Sequence, residues 1–112
     1  MSCTTYNNRL EVFKGNTKQV FCTVYDSSDN LMDLSSYTAG FYAKKYPITP
    51  SSTVDVSVAH TTIDASGFII FNLSSTDTSI AKGDYTYEII IEKTGTKITV
   101  VQDTMNVIPS IK

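Results

Sequence analysis

The sequence predicts an all-β domain, an antiparallel β-sandwich, on three observations. Thr, Val, Ile, Phe and Tyr supply 48 of the 112 residues while Ala and Leu together supply 9. That balance favours strands, because β-branched and aromatic side chains suit a pleated, half-buried surface. Short runs of these residues recur along the chain with Gly, Pro, Asn, Asp and Ser between them, the pattern of a sandwich or barrel. The length is that of one domain, and an apolar share of 41% with 18% charge is enough to form a core without obligatory cross-links.

Taken in order, Leu10 to Phe13 reads as a first strand, stopped by Lys14-Gly15-Asn16. Thr17 to Tyr25 follows, with Val20, Cys22 and Val24 on one face and Phe21, Thr23 and Tyr25 on the other. Both faces are fairly apolar, so the expectation is that a partner or a neighbouring loop covers the second. Asp26 to Asn30 is a turn, and Leu31 to Leu34 has the composition of a short extra strand before a break at Ser35-Ser36. The third strand runs from Tyr37 or Thr38 to about Lys45. Pro47 and Pro50 remove two ladder donors, so the surrounding stretch is expected as a loop or an irregular sheet edge.

Val54, Val56 and Val58 alternate with polar or small residues, the signature of a strand buried on one face. Phe68 to Leu73 is the next strand, entered from Ser66-Gly67, with Ile69, Phe71 and Leu73 opposing Phe68, Ile70 and Asn72. Ser74 to Ala81 is too polar for a strand and is expected to make one helical turn. Tyr85 to Glu92 alternates Tyr85, Tyr87, Ile89 and Ile91 with Thr86, Glu88, Ile90 and Glu92. Lys93 to Thr96 reads as a hairpin turn, and Lys97 to Val107 as the returning strand, with a bulge expected at Gln102-Asp103 before Pro109 ends it. Seven principal strands, or eight with the short one, is the count of an immunoglobulin-like sandwich.

Charge and cysteines narrow the function classes. Nine Lys and Arg against eleven Asp and Glu give a net charge of −2, with the basic residues spread along the chain. A nucleic-acid binder draws most of its affinity from a concentrated basic surface, so neither nucleic acid nor a membrane surface is expected as a partner. The opening residues show neither a basic n-region nor an apolar h-region, and no export signal is expected. Cys3 and Cys22 are the two cysteines. Their settings, one polar and terminal, one inside an apolar run, read as free thiols of a chain made in a reducing cytosol, with a Cys3–Cys22 disulfide as the alternative. Asn72-Leu73-Ser74 matches a glycosylation sequon; without an export signal, chance is the preferred reading.

The residues that could carry chemistry have plainer structural readings. Asp77 through Glu88 suits a tyrosine corner, in which the Tyr85 phenol packs inward and its hydroxyl bonds upstream backbone. The antibody-type version has a cysteine two residues later, where this chain has Tyr87, so packing of Tyr87 and Cys22 is expected to replace the inter-sheet disulfide. His60 is the lone histidine and completes neither a zinc site nor a triad. Asp26, Asp29 and Asp33 lack the order of an EF-hand loop, and Glu88 and Glu92 read as a solvent-facing pair. Lys82-Gly83-Asp84 resembles an integrin-type tripeptide but falls in a turn that the fold requires. No catalytic residue, metal site or cofactor is therefore expected, and the chain is not expected to be an enzyme.

Four pieces, taken in order, resemble an Ig-like domain of tailed-bacteriophage virion proteins, similar to the N-terminal domain of phage baseplate upper proteins. They are Leu10-Glu11-Val12-Phe13-Lys14-Gly15-Asn16-Thr17, Asp29 through Ala39, Asp64 through Ser74, and Asp77-Thr78 through Ile89. The resemblance implies a sandwich used as an attachment module in a capsid or tail assembly. In that family the module usually heads a longer protein, which makes an accessory or decoration subunit on the capsid or tail an equal candidate to a baseplate role.

The resulting expectation is a flexible arm at 1–8, an Ig-like sandwich over 9–108 and a tail at 109–112. The function expected is that of a non-enzymatic virion component, made in the host cytoplasm, that docks on a larger capsid, tail or baseplate protein. A homo-oligomer within that assembly is compatible with it. Docking is expected through a strand edge or the arm, with Tyr6, Asn7, Asn8, Tyr42, Tyr46 and Ile48 as partner-binding candidates. The runner-up is a glycan- or receptor-binding module, motivated by seven Tyr and the loops at 46–52 and 74–82.

Overall fold

The structure, a computed structural model, describes residues 2–4, 10–45, 54–109 and 111, with backbone alone at 2–4. Its strands are β1 (Ser2–Thr4), β2 (Leu10–Phe13), β3 (Lys18–Tyr25), β4 (Thr38–Lys45), β5 (Val56–Ala59), β6 (Thr62–Ile63) and β7 (Phe68–Leu73). A single helical turn, α1 (Ser75–Thr78), then leads to β8 (Gly83–Lys93) and β9 (Thr96–Ile108). They form two sheets, a four-stranded one in the order β1-β3-β7-β6 and a five-stranded one in the order β2-β9-β8-β4-β5. The first follows the strand order of an immunoglobulin ABED sheet and the second that of a GFC sheet with extra edge strands. The fold is the expected Ig-like β-sandwich.

Alternation along the strands builds the core. Val20, Cys22 and Val24 of β3 and Ile69, Phe71 and Leu73 of β7 point inward from one sheet. Phe41 of β4, Tyr85, Tyr87, Ile89 and Ile91 of β8, and Met105 and Val107 of β9 do so from the other. Three aromatic rings join the layers. Tyr87 stacks on Phe41 with centroids 5.4 Å apart, and Phe41 meets Phe71 of the opposite sheet at 5.9 Å and 53°. Such pairs contribute about 0.5–1.5 kcal/mol each beyond the area they bury. Tyr87 and Cys22 are expected to fill the place of the inter-sheet disulfide; instead Tyr87 packs on Phe41, which meets Phe71, and Cys22 is itself in a disulfide.

Several expectations are corrected. Ser2–Thr4, placed in a flexible arm, pair with β3, Cys3 lying opposite Val24. Cys22 is in a disulfide, and the sequence contains one other cysteine, Cys3. The free-thiol reading therefore fails, because the antiparallel β1–β3 pairing brings two positions far apart in sequence onto neighbouring strands. Support for a reducing compartment goes with it, since disulfides persist in oxidising surroundings. Leu31 to Leu34 makes no strand: Leu31 bridges Tyr25, and Leu34 is a fully buried plug. Val54 is 40% exposed and only Val56 of the valine run is buried, because β5 is a sheet edge. The bulge falls at Val100, between the Ile89–Val101 and Ile90–Thr99 pairs, two residues before its expected place. The parallel pairing of β2 with β9 and the two-residue β6 have no signature in the sequence.

The turn into β7 has a strict requirement at Gly67. Its φ is +79°, its carbonyl accepts the Val24 N–H at 2.8 Å, and an added Cβ would lie 2.7 Å from the Val24 oxygen. Both the left-handed backbone and the backbone contact oppose a side chain. Gly67→Ala is expected to lower unfolding stability by about 2 kcal/mol or more. A urea titration of the variant beside the parent checks this through the transition midpoint.

Candidate functional site

Most polar residues with chemical potential are committed to backbone support. Asp26 Oδ1 accepts the Ser28 and Asn30 N–H groups at 2.8 and 3.0 Å, shaping a turn in which Asp29 has φ +62°. Asp33 Oδ1 accepts the Ser35 N–H at 2.9 Å, which holds its carboxyl below the usual range. Asp64 Oδ1 accepts the Ser66 and Phe68 N–H groups. Ser74 and Asp77 form the reciprocal capping box of α1. Glu88 accepts from Gln102 Nε2 at 3.2 Å, and Glu92 is paired in register with Lys97. Among the described residues no group of three His, Cys, Asp or Glu side chains is placed to hold a metal ion.

His60 and Tyr42 share the outer face of the five-stranded sheet near its β5 edge. His60 Nδ1 lies 3.1 Å from the Ala39 nitrogen and accepts its proton, while the His60 N–H donates to the Ala39 carbonyl at 3.0 Å. The imidazole thereby extends the β4 ladder past the end of β5. Tyr42 is half-buried with its ring over Gly40, where a Cβ would collide with the phenol. Ser57, His60, Glu92 and Tyr42 line a shallow hollow of about 310 Å³. Tyr6, Asn7, Asn8, Tyr46 and Ile48, the other partner-binding candidates, lie outside the described residues.

Tyr85 is the tyrosine corner. It is 2% exposed, its hydroxyl donates to the Ala81 carbonyl at 2.7 Å, and Lys45 Nζ sits 5.0 Å from its ring centroid. The same ammonium donates to the Lys82 carbonyl, so the turn before β8 is tied to both. Burial first, and the Asp55 charge second, push the Tyr85 phenol upward; burial and Asp103 push Tyr87 further.

The two outer sheet faces differ in charge. Outward positions of the five-stranded sheet carry Lys44, Asp84, Glu88, Glu92 and Lys97. On the four-stranded sheet the outward side chains of β3 are Gln19, Phe21, Thr23 and Tyr25, and those of β7 are Phe68, Ile70 and Asn72. None is charged. Phe21 is 47% exposed and packs on Phe68 with centroids 6.0 Å apart. Leu31, 53% exposed, continues the row beyond Phe68 through its bridge to Tyr25. Gln19 Nε2 donates to Asn72 Oδ1 at 3.0 Å and closes the other end. Sequence periodicity marks β3 as apolar on both faces, but the contribution of Leu31 depends on a loop register that periodicity does not carry.

No family model matches the chain, and no characterised protein matches it by sequence. Among solved structures it is similar to the endo-β-1,4-mannanase from Thermotoga petrophila, with a TM-score of 0.55 and 14% identity over 97% of this chain. The chain spans 19% of that enzyme's length. It is also similar to the Lin-41 filamin domain, with a TM-score of 0.50 and 20% identity over 88% of this chain and 82% of that one. These likenesses define a class, the Ig-like β-sandwich, and extend to the fold alone.

Two outcomes follow from the buried phenols. Tyr85→Phe is expected to cost about 1 kcal/mol, since it leaves the Ala81 carbonyl without its donor; chemical denaturation measures it. A phenol held neutral in the fold but free to ionise near pH 10 when unfolded contributes stability below that value and loses it as pH rises. Stability is therefore expected to fall above about pH 10, with the slow part of the tyrosinate absorbance rise appearing together with unfolding.

Proposed function

We propose that the chain is a non-enzymatic structural component of a tailed-phage type virion, an Ig-like accessory or decoration subunit that docks on a larger capsid, tail or baseplate protein. The observation that carries this reading is how the four sequence pieces resembling phage Ig-like domains fall on the fold. In order, they supply β2 and its turn, the Asp29 turn with the Leu34 plug, the Gly67 turn into β7, and the capping box with the tyrosine corner. These are the positions that set where strands begin and how the two sheets close.

The surface supports docking over catalysis. His60, Asp26, Asp33, Asp64 and Asp77 are each engaged by backbone groups, and the sheet edges at β2, β5 and β6 offer unpaired backbone donors and acceptors to a partner. The glycan-binding alternative has less behind it. Tyr37 is 8% exposed, with the Lys93 ammonium 4.8 Å from its ring centroid, and Tyr42 lies flat over Gly40 instead of standing out as a platform.

Purified virions from a culture expressing the chain provide the test. Co-sedimentation of the chain with particles, and its detection among their proteins by mass spectrometry, is the expected result. Its absence from particles that are otherwise complete would overturn the reading.

A further inference from the structure

We propose that the outer face of the four-stranded sheet is a self-association surface, covered by the same face of a second copy of this chain in a two-fold dimer. The face carries Phe21, Tyr25, Leu31, Phe68 and Ile70 in one continuous patch, with Phe21 and Leu31 about half exposed. Large apolar side chains are also open at Phe13, Val54 and Ile111, but Phe21 and Leu31 share one face with Tyr25, Phe68 and Ile70.

The choice of occupant rests on charge and on area. In a two-fold contact every group near the axis meets its own copy, so a charged face would set like charges together, while a neutral one pairs with itself without that cost. The outward side chains of β3 and β7 are all neutral, and the patch is bordered by Thr62 and the Gln19–Asn72 amide pair. Thr23 lies within the patch, between Phe21 and Tyr25, and its hydroxyl and the border amides can both donate and accept, so they serve two facing copies equally well. The opposite sheet, with Lys44, Asp84, Glu88, Glu92 and Lys97 pointing outward, cannot cover the patch without desolvating charges. A second copy of the patch matches this chemistry, neutral against neutral and amide against amide.

The four strands have 3, 8, 6 and 2 residues, and at about 3.4 Å by 4.8 Å for each residue they make a face of about 300 Å² in plan. Two copies face to face bury about 600 Å² before corrugation and Leu31 are counted, the size of a weak, transient contact that fills toward millimolar concentration. Stacking two twisted sheets at about 30° is an ordinary packing geometry, and would let Phe21 and Phe68 of each copy interleave. The pairing needs no virion, so it and the virion reading can fail separately.

Analytical ultracentrifugation of the purified chain up to millimolar concentration tests it. The expected mass rises from 12.3 kDa toward twice that value, and Phe21→Lys raises the dimer dissociation constant about 100-fold or more by placing like charges in the contact. Thr99→Lys, on the exposed outer face of the other sheet, is expected to leave dimerisation within about twofold of the parent. Circular dichroism melts of both variants establish that they fold; if Phe21→Lys does not, Phe21→Thr, which keeps β-propensity and removes the ring, takes its place. A chain that stays at 12.3 kDa throughout, or a dimer broken by Thr99→Lys and kept by Phe21→Lys, would overturn the proposal. So would a monomer whose co-sedimentation with particles is lost on Phe21→Lys, because the face would then belong to a different protein.

Discussion

The stack of Tyr87, Phe41 and Phe71 is the contact on which the rest of the molecule depends. Immunoglobulin-type sandwiches commonly cross-link their two sheets through cysteines on the strands that β3 and β8 represent here. In this chain Cys22 is in a disulfide and Tyr87 occupies the facing strand, so the layers are held by ring packing through the core. A core of this kind has no slack. Each ring sits against others at 5.4 and 5.9 Å, and the strands must keep their register for the rings to meet. The Tyr85 hydroxyl on Ala81, Lys45 across the same corner, and Gly67 against Val24 are the means by which turns at both ends fix that register.

Once the core and turns are satisfied, little polar chemistry is left over. Asp26, Asp33, Asp64 and Asp77 each accept backbone N–H groups within a few residues of themselves, and Glu88 and Glu92 stand on the outer face of β8. The histidine completes a ladder. Among what remains are Phe21 and Leu31, standing about half open on a neutral sheet face, while the outward face of the other sheet carries Glu11, Lys44, Asp84, Glu88, Glu92 and Lys97. A domain of this size acts through its surface, and this face is where its surface departs most from what solubility alone would favour.

Much of the fold is legible in the sequence because its strands obey a simple alternation. β2, β3, β4 and β7 fall within a residue of the runs that periodicity marks, and the alternating sets it marks in β7 and β8 are the ones the sandwich divides between core and surface. The tyrosine corner is legible because a Tyr after a Gly-Asp turn has one packing solution. Long-range pairing is not legible. That Ser2–Thr4 adds a strand beside β3, that β2 lies parallel to β9, and that Leu31 lines up with Tyr25 are facts of register between distant segments, and no local period encodes them. The Cys22 disulfide belongs to the same group: its two settings look unlike in sequence and become neighbours through β1. Of the candidate site, alternation in β3 exposes half the patch, while the remainder arises when β7 and the Leu31 loop are laid beside it.

The central claim is that binding resides on the neutral face while the aromatic stack behind it stays fixed. Fluorine NMR of the chain labelled at its five phenylalanines, followed as concentration rises, tests that claim most directly. The account predicts that the Phe21 and Phe68 resonances move together while those of Phe41 and Phe71 hold their positions. Resonances of Phe21 and Phe68 that stay constant, or a shift confined to Phe13 on the other sheet, would contradict it.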